Sequence, residues 1–340
     1  MSKGFALIRK ALGRRRAAEP ALVLPSPEAT GSTLSVCHPN WRGVRTSAKA
    51  FGDPLVETAD AGAHAAAIVD SATTNGAAAI VIHGFPPGAD LLLTRAKAAG
   101  LRTLAVVHSS PAQHGAEAWE AAVVDRVIAL ARDGVVDRVG FVKAGVAEVF
   151  SGMGIDAVHT PNRAPRLEAF EPLDLGPGKH IGVFAAPFWR KNVVTQLAAV
   201  SLMGGTTAHV LERPAVGYLD DLDIVEHGEV SWPDFVRLQG SVDLNLYVSL
   251  SECHPMSPME SYLAGVPCLM SRTSDLFRDD PDLWETVTVS EADDPTAIAA
   301  AAGRLLDAGP SVVARAREWI EAADSRAARS WAAFTGETPA

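Results

Sequence analysis

Short apolar runs recur along this chain at intervals filled by helix-like segments, and that alternation constrains the fold more than any other feature. In the first half the runs are Leu34 to His38, Ala78 to His83, Thr103 to His108, Arg126 to Leu130 and Asp156 to Thr160. Parallel strands need a crossover long enough to return to the same sheet edge, so this pattern predicts βαβ units. Pro161, Pro165, Pro172, Gly176, Pro177 and Gly178 then punctuate a stretch without periodicity, which reads as a linker over 166–179. A second series follows: His180 to Ala185, Thr207 to Leu211, Asp223 to Glu226, Asp243 to Val248, Pro267 to Met270 and Thr286 to Val289, with helical segments from Pro295 onward. The expected fold class is α/β, with two Rossmann-like domains at 33–165 and 180–315. In open parallel sheets ligands bind beyond the carboxyl ends of the strands, so two such domains facing across a cleft would carry their chemistry on the loops after strands.

A length of 340 residues suits two domains at ~150 residues each. With 48% apolar and 21% charged residues, a mainly disordered, collagen-like or coiled-coil chain is excluded. No run reaches the ~18 apolar residues of a transmembrane helix, and the first 20 residues lack the apolar centre of a signal peptide, so a cytoplasmic protein is expected. Cys37, Cys253 and Cys268 form no CxxC pair and fit neither a disulfide framework nor a zinc site.

The net charge of −10 is unevenly placed. Lys3, Arg9, Lys10, Arg14, Arg15 and Arg16 face Glu19 alone in the first 20 residues, a local excess of cations on an otherwise acidic chain. Residues 1–32 read as a basic arm and tether: an amphipathic helix carrying Phe5, Leu7, Ile8 and Leu12, then a Pro/Ser-rich stretch from Glu19 to Ser32. Residues 1–20 could meet an anionic membrane surface or DNA phosphates, or be a solvated tail. The acidic body argues against broad nucleic-acid affinity.

The most informative segment runs from Leu250 to Pro267, LSECHPMSPMESYLAGVP, after the strand expected to end at Val248. Its two carboxylates, Glu252 and Glu260, are separated by seven residues, one on the strand-end loop and one in the first turn of a helix entered near Pro258. Ser257-Pro258-Met259-Glu260 alone also reads as a capping box with Pro at the first helical position. That reading leaves unexplained Glu252 at an apolar strand end, the loop amides around Met256, and the Ala264-Gly265-Val266-Pro267 turn.

The whole stretch resembles the E-x7-E region of retaining glycosyltransferases of the GT-B fold, of the family 4 type, whose helix is followed by A-x-G-x-P. The resemblance implies that Glu252 holds donor-sugar hydroxyls, that Glu260 holds the ribose, and that Pro255 and the amides near Met256 and Ser257 orient the donor. Ile181-Gly182-Val183-Phe184 followed by Arg190-Lys191-Asn192 resembles the family's first strand of the second domain and the helix start that holds the diphosphate. A cation beside free helix-terminal amides is suited to a phosphate. The family commonly has an arginine where this chain has Ala185, Ala186 and Pro187. Ile224 to Val230, before Ser231-Trp232-Pro233-Asp234, resembles the base-binding stretch, with the chain near Val230 meeting the nucleobase, although Ser231 and Asp234 also make an ordinary N-cap pattern. In the first half, His38 to Arg45 resembles the family's glycine loop, keeping Gly43 alone of two glycines. His108 resembles the histidine near the donor sugar, while Lys143 and Pro161-Asn162 follow the family's order of features. The last helix, 316–340, would by the same resemblance cross back to the first domain.

Competing motifs are weak. Gly152-Met153-Gly154 precedes a strand instead of following one, there is no GxxxxGK[ST], and Asp221-Leu222-Asp223 imitates a metal-binding DxD without supporting context. The resemblance therefore implies a metal-independent, retaining hexosyltransferase without a cofactor. It would take a nucleoside diphosphate sugar, with UDP-sugar favoured, and an unidentified acceptor. Arg190 and Lys191 would neutralise the departing diphosphate. Alternatives are transfer to modified bases of DNA, an epimerase on the same fold, and a non-catalytic nucleotide-sugar-binding or scaffold protein.

Overall fold

The computed structural model describes residues 22–26, 29 and 31–336. The expected basic helix at 1–20 lies outside them. The chain divides into two compact units, one comprising Arg166–Glu321 and the other the described residues of 22–165 together with those from Ala322 onward.

The amino-terminal unit is built on a seven-stranded sheet of order β1-β3-β2-β4-β5-β6-β7. The strands are β1 (Leu22–Val23), β2 (Thr33–Cys37), β3 (Leu55–Thr58), β4 (Ala79–His83), β5 (Arg102–Val107), β6 (Arg138–Phe141) and β7 (Ala157–His159). All pairings are parallel except that β1 runs antiparallel to β3. Helices α1 (Arg42–Phe51), α2 (Ala65–Thr74), α3 (Ala89–Ala98), α4 (Pro111–Ala116), α5 (Ala118–Arg132) and α6 (Val146–Gly152) connect them. Every residue of β2 and β4 is buried, as parallel strands covered on both faces require. Leu34, Val36, Ile80 and Ile82 face one apolar core with Leu92, Leu93 and Val127. Ser35 and His83 are directed to the opposite face.

The carboxy-terminal unit has a six-stranded, wholly parallel sheet of order β10-β9-β8-β11-β12-β13. Its strands are β8 (Lys179–Val183), β9 (Thr206–Val210), β10 (Ile224–Glu226), β11 (Leu244–Tyr247), β12 (Cys268–Ser271) and β13 (Thr288–Val289). Helices α7 (Val193–Leu202), α8 (Trp232–Gln239), α9 (Met256–Ala264), α10 (Pro281–Val287), α11 (Pro295–Ala308) and α12 (Pro310–Thr335) complete it, with the end of α12 belonging to the other unit. No single helix among the described residues is long and apolar enough to cross a membrane.

Two expectations are corrected. Arg126 to Leu130 is not a strand but part of α5, because Val124, Val127 and Ile128 recur with the helical period and bury one face. The strand in that region is Arg138–Phe141, a four-residue element containing Gly140, where a Cβ would come within 2.7 Å of Thr160 Oγ1. The stretch read as a tether contains β1, so ordered structure precedes Thr33. The three cysteines are free and buried, and burial pushes the Cys37 thiol up to about 12.

Candidate functional site

Strand order reverses once in the carboxy-terminal sheet, between β8 and β11. A crevice opens at such a switch point beyond the strands' carboxyl ends. The two loops leaving it carry Arg190 and Lys191 after β8, and Glu252 after β11. Lys191 ends a short 3₁₀ turn, Trp189–Lys191, and Asn192 then caps α7 in the left-handed region with φ 54°.

Lys191 and Glu252 form the centre of the site. The ammonium donates to Glu252 Oε1 and to the Tyr247 hydroxyl, and lies 4.5 Å from the Tyr247 ring centroid. Arg190 approaches the same carboxylate oxygen at 3.5 Å. Glu252 is 7% exposed. Burial lowers the Lys191 pKa from the usual lysine range; the Glu252 charge opposes that shift and the Arg190 charge adds to it. Burial raises the Tyr247 pKa well above its ordinary value, with Glu252 contributing in the same direction. One carboxylate thus sits between two basic side chains on this loop.

Two buried amides hold the loop in place. Gln196 Nε2 donates to the Lys191 carbonyl at 2.7 Å and to the Asn192 carbonyl at 3.2 Å, while its Oε1 accepts from the Val248 amide at 2.9 Å. Asn192 Nδ2 donates to the carbonyls of Val248 (3.1 Å) and Ala292 (2.5 Å). The Leu250 amide donates to the Arg190 carbonyl at 2.7 Å. Together these bonds fasten the loop after β8 to the loop after β11, which sets the distance between the cations and Glu252.

The helix after Glu252 begins earlier than expected, and the capping box does not form. Pro255 is its N-cap, Met256 its first residue, and no side chain caps it. Ser257 is thus inside the first turn, and Met256 is a buried helical residue instead of an exposed loop one. Glu260 consequently has no capping duty. It is 2% exposed and accepts from Trp232 Nε1 at 2.8 Å. Trp232 opens α8, whose N-cap Ser231 accepts from the Asp234 amide at 3.3 Å. Val230 is buried against Phe184, Phe235 and Leu238. The structure therefore gathers Arg190, Lys191 and Glu252 directly, and adds Glu260, Met256, Ser257, Pro255 and Val230 on the neighbouring loop and helices of the same unit.

Tyr247 and Gln196 were not expected at the site, Asn192 was expected only as part of the Arg190-Lys191-Asn192 helix start, and Trp232 was assigned no site role. An isolated amide inside an apolar helix, such as Gln196 in VVTQLAAVSL, is the signal that could have flagged one of them.

His108 and Gly43 belong to the amino-terminal unit. Gly43 is in the first turn of α1 instead of a glycine loop, and a Cβ there would meet nothing within 4 Å. His108 follows β5, and its Nε2 is 3.3 Å from His83 Nδ1. Burial lowers its pKa to about 4, and that of His83 well below 6.5, where His108 adds to the effect. Asn162 accepts from Ser47 Oγ at 2.6 Å, a structural bond. Asp223 accepts from Thr207 Oγ1 at 2.9 Å. No group of three His, Cys, Asp or Glu among the described residues is arranged to hold a metal ion.

A second row of imidazoles crosses the carboxy-terminal sheet. His180 Nδ1 is 2.9 Å from His209 Nε2, and His209 Nδ1 is 2.9 Å from His227 Nε2. Burial lowers the His209 pKa to about 3 and the His227 pKa to about 4.

No protein-family model and no curated protein matches this chain. Solved structures do. The OtsA apo structure superposes with a TM-score of 0.60 at 11% identity, covering 91% of this chain and 100% of that one. The E. coli trehalose-6-phosphate protein bound with UDP-2-fluoro glucose gives 0.54 at 12% identity, covering 81% and 77%. Sucrose-phosphate synthase from Thermosynechococcus elongatus gives 0.59 at 14% identity, covering 90% and 96%. The fold is therefore α/β with two parallel-sheet domains, of the GT-B type.

Proposed function

We propose that this protein is a retaining glycosyltransferase that moves a hexose from a nucleoside diphosphate sugar, UDP-sugar favoured, to an acceptor. The observation that carries the reading is the Arg190–Lys191–Glu252 cluster at the strand-order switch point. Two cations fixed there can neutralise a diphosphate, and the amides opening α9 offer it further donors. Glu252 would receive hydroxyls of the donor sugar, and Glu260, steadied by Trp232, those of the ribose. Pro255, Met256 and Ser257 would orient the donor, Val230 would border the base, and His108 and Gly43 would serve the substrate from the amino-terminal unit.

As the bond from the anomeric carbon to the diphosphate oxygen breaks, negative charge grows on the diphosphate, where Arg190 and Lys191 stabilise it without reorganising. No carboxylate is assigned as nucleophile. The acceptor attacks the face the diphosphate leaves, and its proton passes to a phosphate oxygen. Two cations at the leaving group supply what a metal ion supplies elsewhere, so the reaction is proposed to need none. The UDP-2-fluoro glucose complex of a structural neighbour supports UDP-glucose as the first donor to test. Sugar phosphates are the first acceptors to try, ahead of DNA bases.

The test is thermal unfolding with UDP, GDP, ADP, dTDP and their common sugar conjugates. Ligand at ~100 times its Kd stabilises the folded form by about 2.7 kcal/mol. One nucleotide class is expected to raise the midpoint, and Glu252→Gln to abolish transfer while retaining UDP binding. No stabilisation by any nucleotide would refute the donor site, and binding without transfer to any acceptor would favour a scaffold.

A further inference from the structure

In the amino-terminal unit a row of polar side chains runs across the adjacent strands β2, β4 and β5 and ends at His108. Asp53, on the loop between α1 and β3, accepts at Oδ2 from Ser35 Oγ (3.3 Å) and from Trp331 Nε1 (3.1 Å). Ser35 Oγ is 3.2 Å from His83 Nε2, and His83 Nδ1 is 3.3 Å from His108 Nε2. Ser35 and His83 are both 0% exposed. Phe51 and Trp331 stack at 3.8 Å, and Trp331 and His83 at 5.6 Å, so aromatic rings border the row.

The chemistry of the end groups gives this row a direction. An indole N–H only donates, so Asp53 Oδ2 is an acceptor there, and it accepts from the Ser35 hydroxyl as well. The Ser35 hydroxyl must then spend its single proton on Asp53 and can only accept from His83. His83 Nε2 carries the proton, leaving Nδ1 as a lone pair. His108 must therefore donate from Nε2, which leaves its own Nδ1 as a lone pair. The opposite polarity would turn a hydroxyl lone pair toward Asp53 Oδ2, two acceptors facing each other in a buried place.

We propose that Asp53, Ser35 and His83 are positioning residues that hold His108 in its Nε2–H tautomer, so that His108 Nδ1 is an obligate hydrogen-bond acceptor. Trp331 orients Asp53, which makes the last helix part of the device. Both imidazoles stay neutral at neutral pH because burial disfavours their charged forms. A neutral Nδ1 accepts from a hydroxyl and repels a carbonyl or phosphate oxygen, so its partner is a hydroxyl donor such as a sugar. The choice of a sugar rests on the proposed function; the tautomer does not.

The experiment is long-range 1H–15N correlation of 15N-histidine-labelled full-length protein at pH 7, with signals assigned from His83→Gln and His108→Gln variants. His83 and His108 are each expected as a single neutral Nε2–H tautomer. Asp53→Ala and Ser35→Ala should lose it, giving tautomer mixtures at both rings, whereas Asp53→Asn, whose amide oxygen can still accept, should keep it. Backbone amide spectra matching the parent check that each variant is folded; should Ser35→Ala fail to fold, the Ala and Asn pair at position 53 decides. An Nδ1–H or charged His108 in the parent, or tautomers indifferent to Asp53→Ala, would overturn the relay. UDP-glucose and the GDP, ADP and dTDP sugars titrated into the same sample separate the two readings. A correct tautomer without binding of any of them upholds the relay and removes the donor reading, while binding with the wrong tautomer removes the relay alone.

Discussion

Lys191 and Glu252 are shielded enough that breaking their pair is measurable as stability. Their side chains are 14% and 9% exposed. Removing one partner of a buried ion pair costs about 3–5 kcal/mol, because the other charge stays behind unpaired. Lys191→Met leaves Glu252 with Arg190, at 3.5 Å, as its remaining ion-pair partner among the described residues, so about 3 kcal/mol is expected. Glu252→Gln leaves the ammonium its Tyr247 hydroxyl and the ring face, an attraction of roughly 0.5–2 kcal/mol, so a loss nearer ~2 kcal/mol is expected. The double variant removes both charges and should fall within ~1 kcal/mol of the parent, since replacing a whole buried pair is close to neutral. Urea unfolding of the four proteins gives the coupling energy, expected above ~2 kcal/mol in magnitude. Losses that add to within ~0.5 kcal/mol, as independent sites do, would refute the pairing.

Two further outcomes follow from buried groups. Gln196→Leu strips partners from the Lys191 and Asn192 carbonyls and the Val248 amide; about 2–4 kcal/mol of stability should go, with UDP-glucose affinity falling alongside, and a variant as stable as the parent would dismiss the clamp. His83, His108, His209 and His227 all have folded pKa values below the usual 6.5, so the unfolded chain takes up protons first as pH falls. Their contribution is complete above pH 6.5 and drains away toward pH 4; urea midpoints should register a loss of about 3 kcal/mol or more between pH 7 and pH 4.5, and a flat profile would show these rings to be solvated.

The alternation of apolar runs was enough to reveal both sheets, because strands such as Ala79–His83 and Leu244–Tyr247 are buried on both faces and stand out against amphipathic helices. Edge and short strands escaped: Leu22–Val23, Leu55–Thr58 and Arg138–Phe141 are too brief to set up a period. Arg126 to Leu130 misled because a β-branched helical face looks locally like a strand. At the site, Glu252 and the Arg190-Lys191 pair were visible as charges beside strand ends. Gln196, Ser35 and Asp53 were not, since a buried polar residue acquires its role only from partners distant in sequence. The capping-box alternative for Glu260 was sound chemistry for SPME; the helix simply starts two residues sooner, at Met256.

The helix α12 leaves one unit and finishes in the other, where Trp331 meets Asp53, Arg163 bonds Asp324, and Arg102 reaches the Thr335 carbonyl. The amino-terminal unit is thus interrupted in sequence by the whole of Arg166–Glu321. On a ribosome adding ~5–20 residues per second, its sheet emerges on the order of ten seconds before the segment that covers Asp53 and Phe51. Until then the nascent half-protein lacks the ring that stacks on Phe51 and the indole that donates to Asp53, so a frameshift or premature stop near residue 320 would damage the half made first.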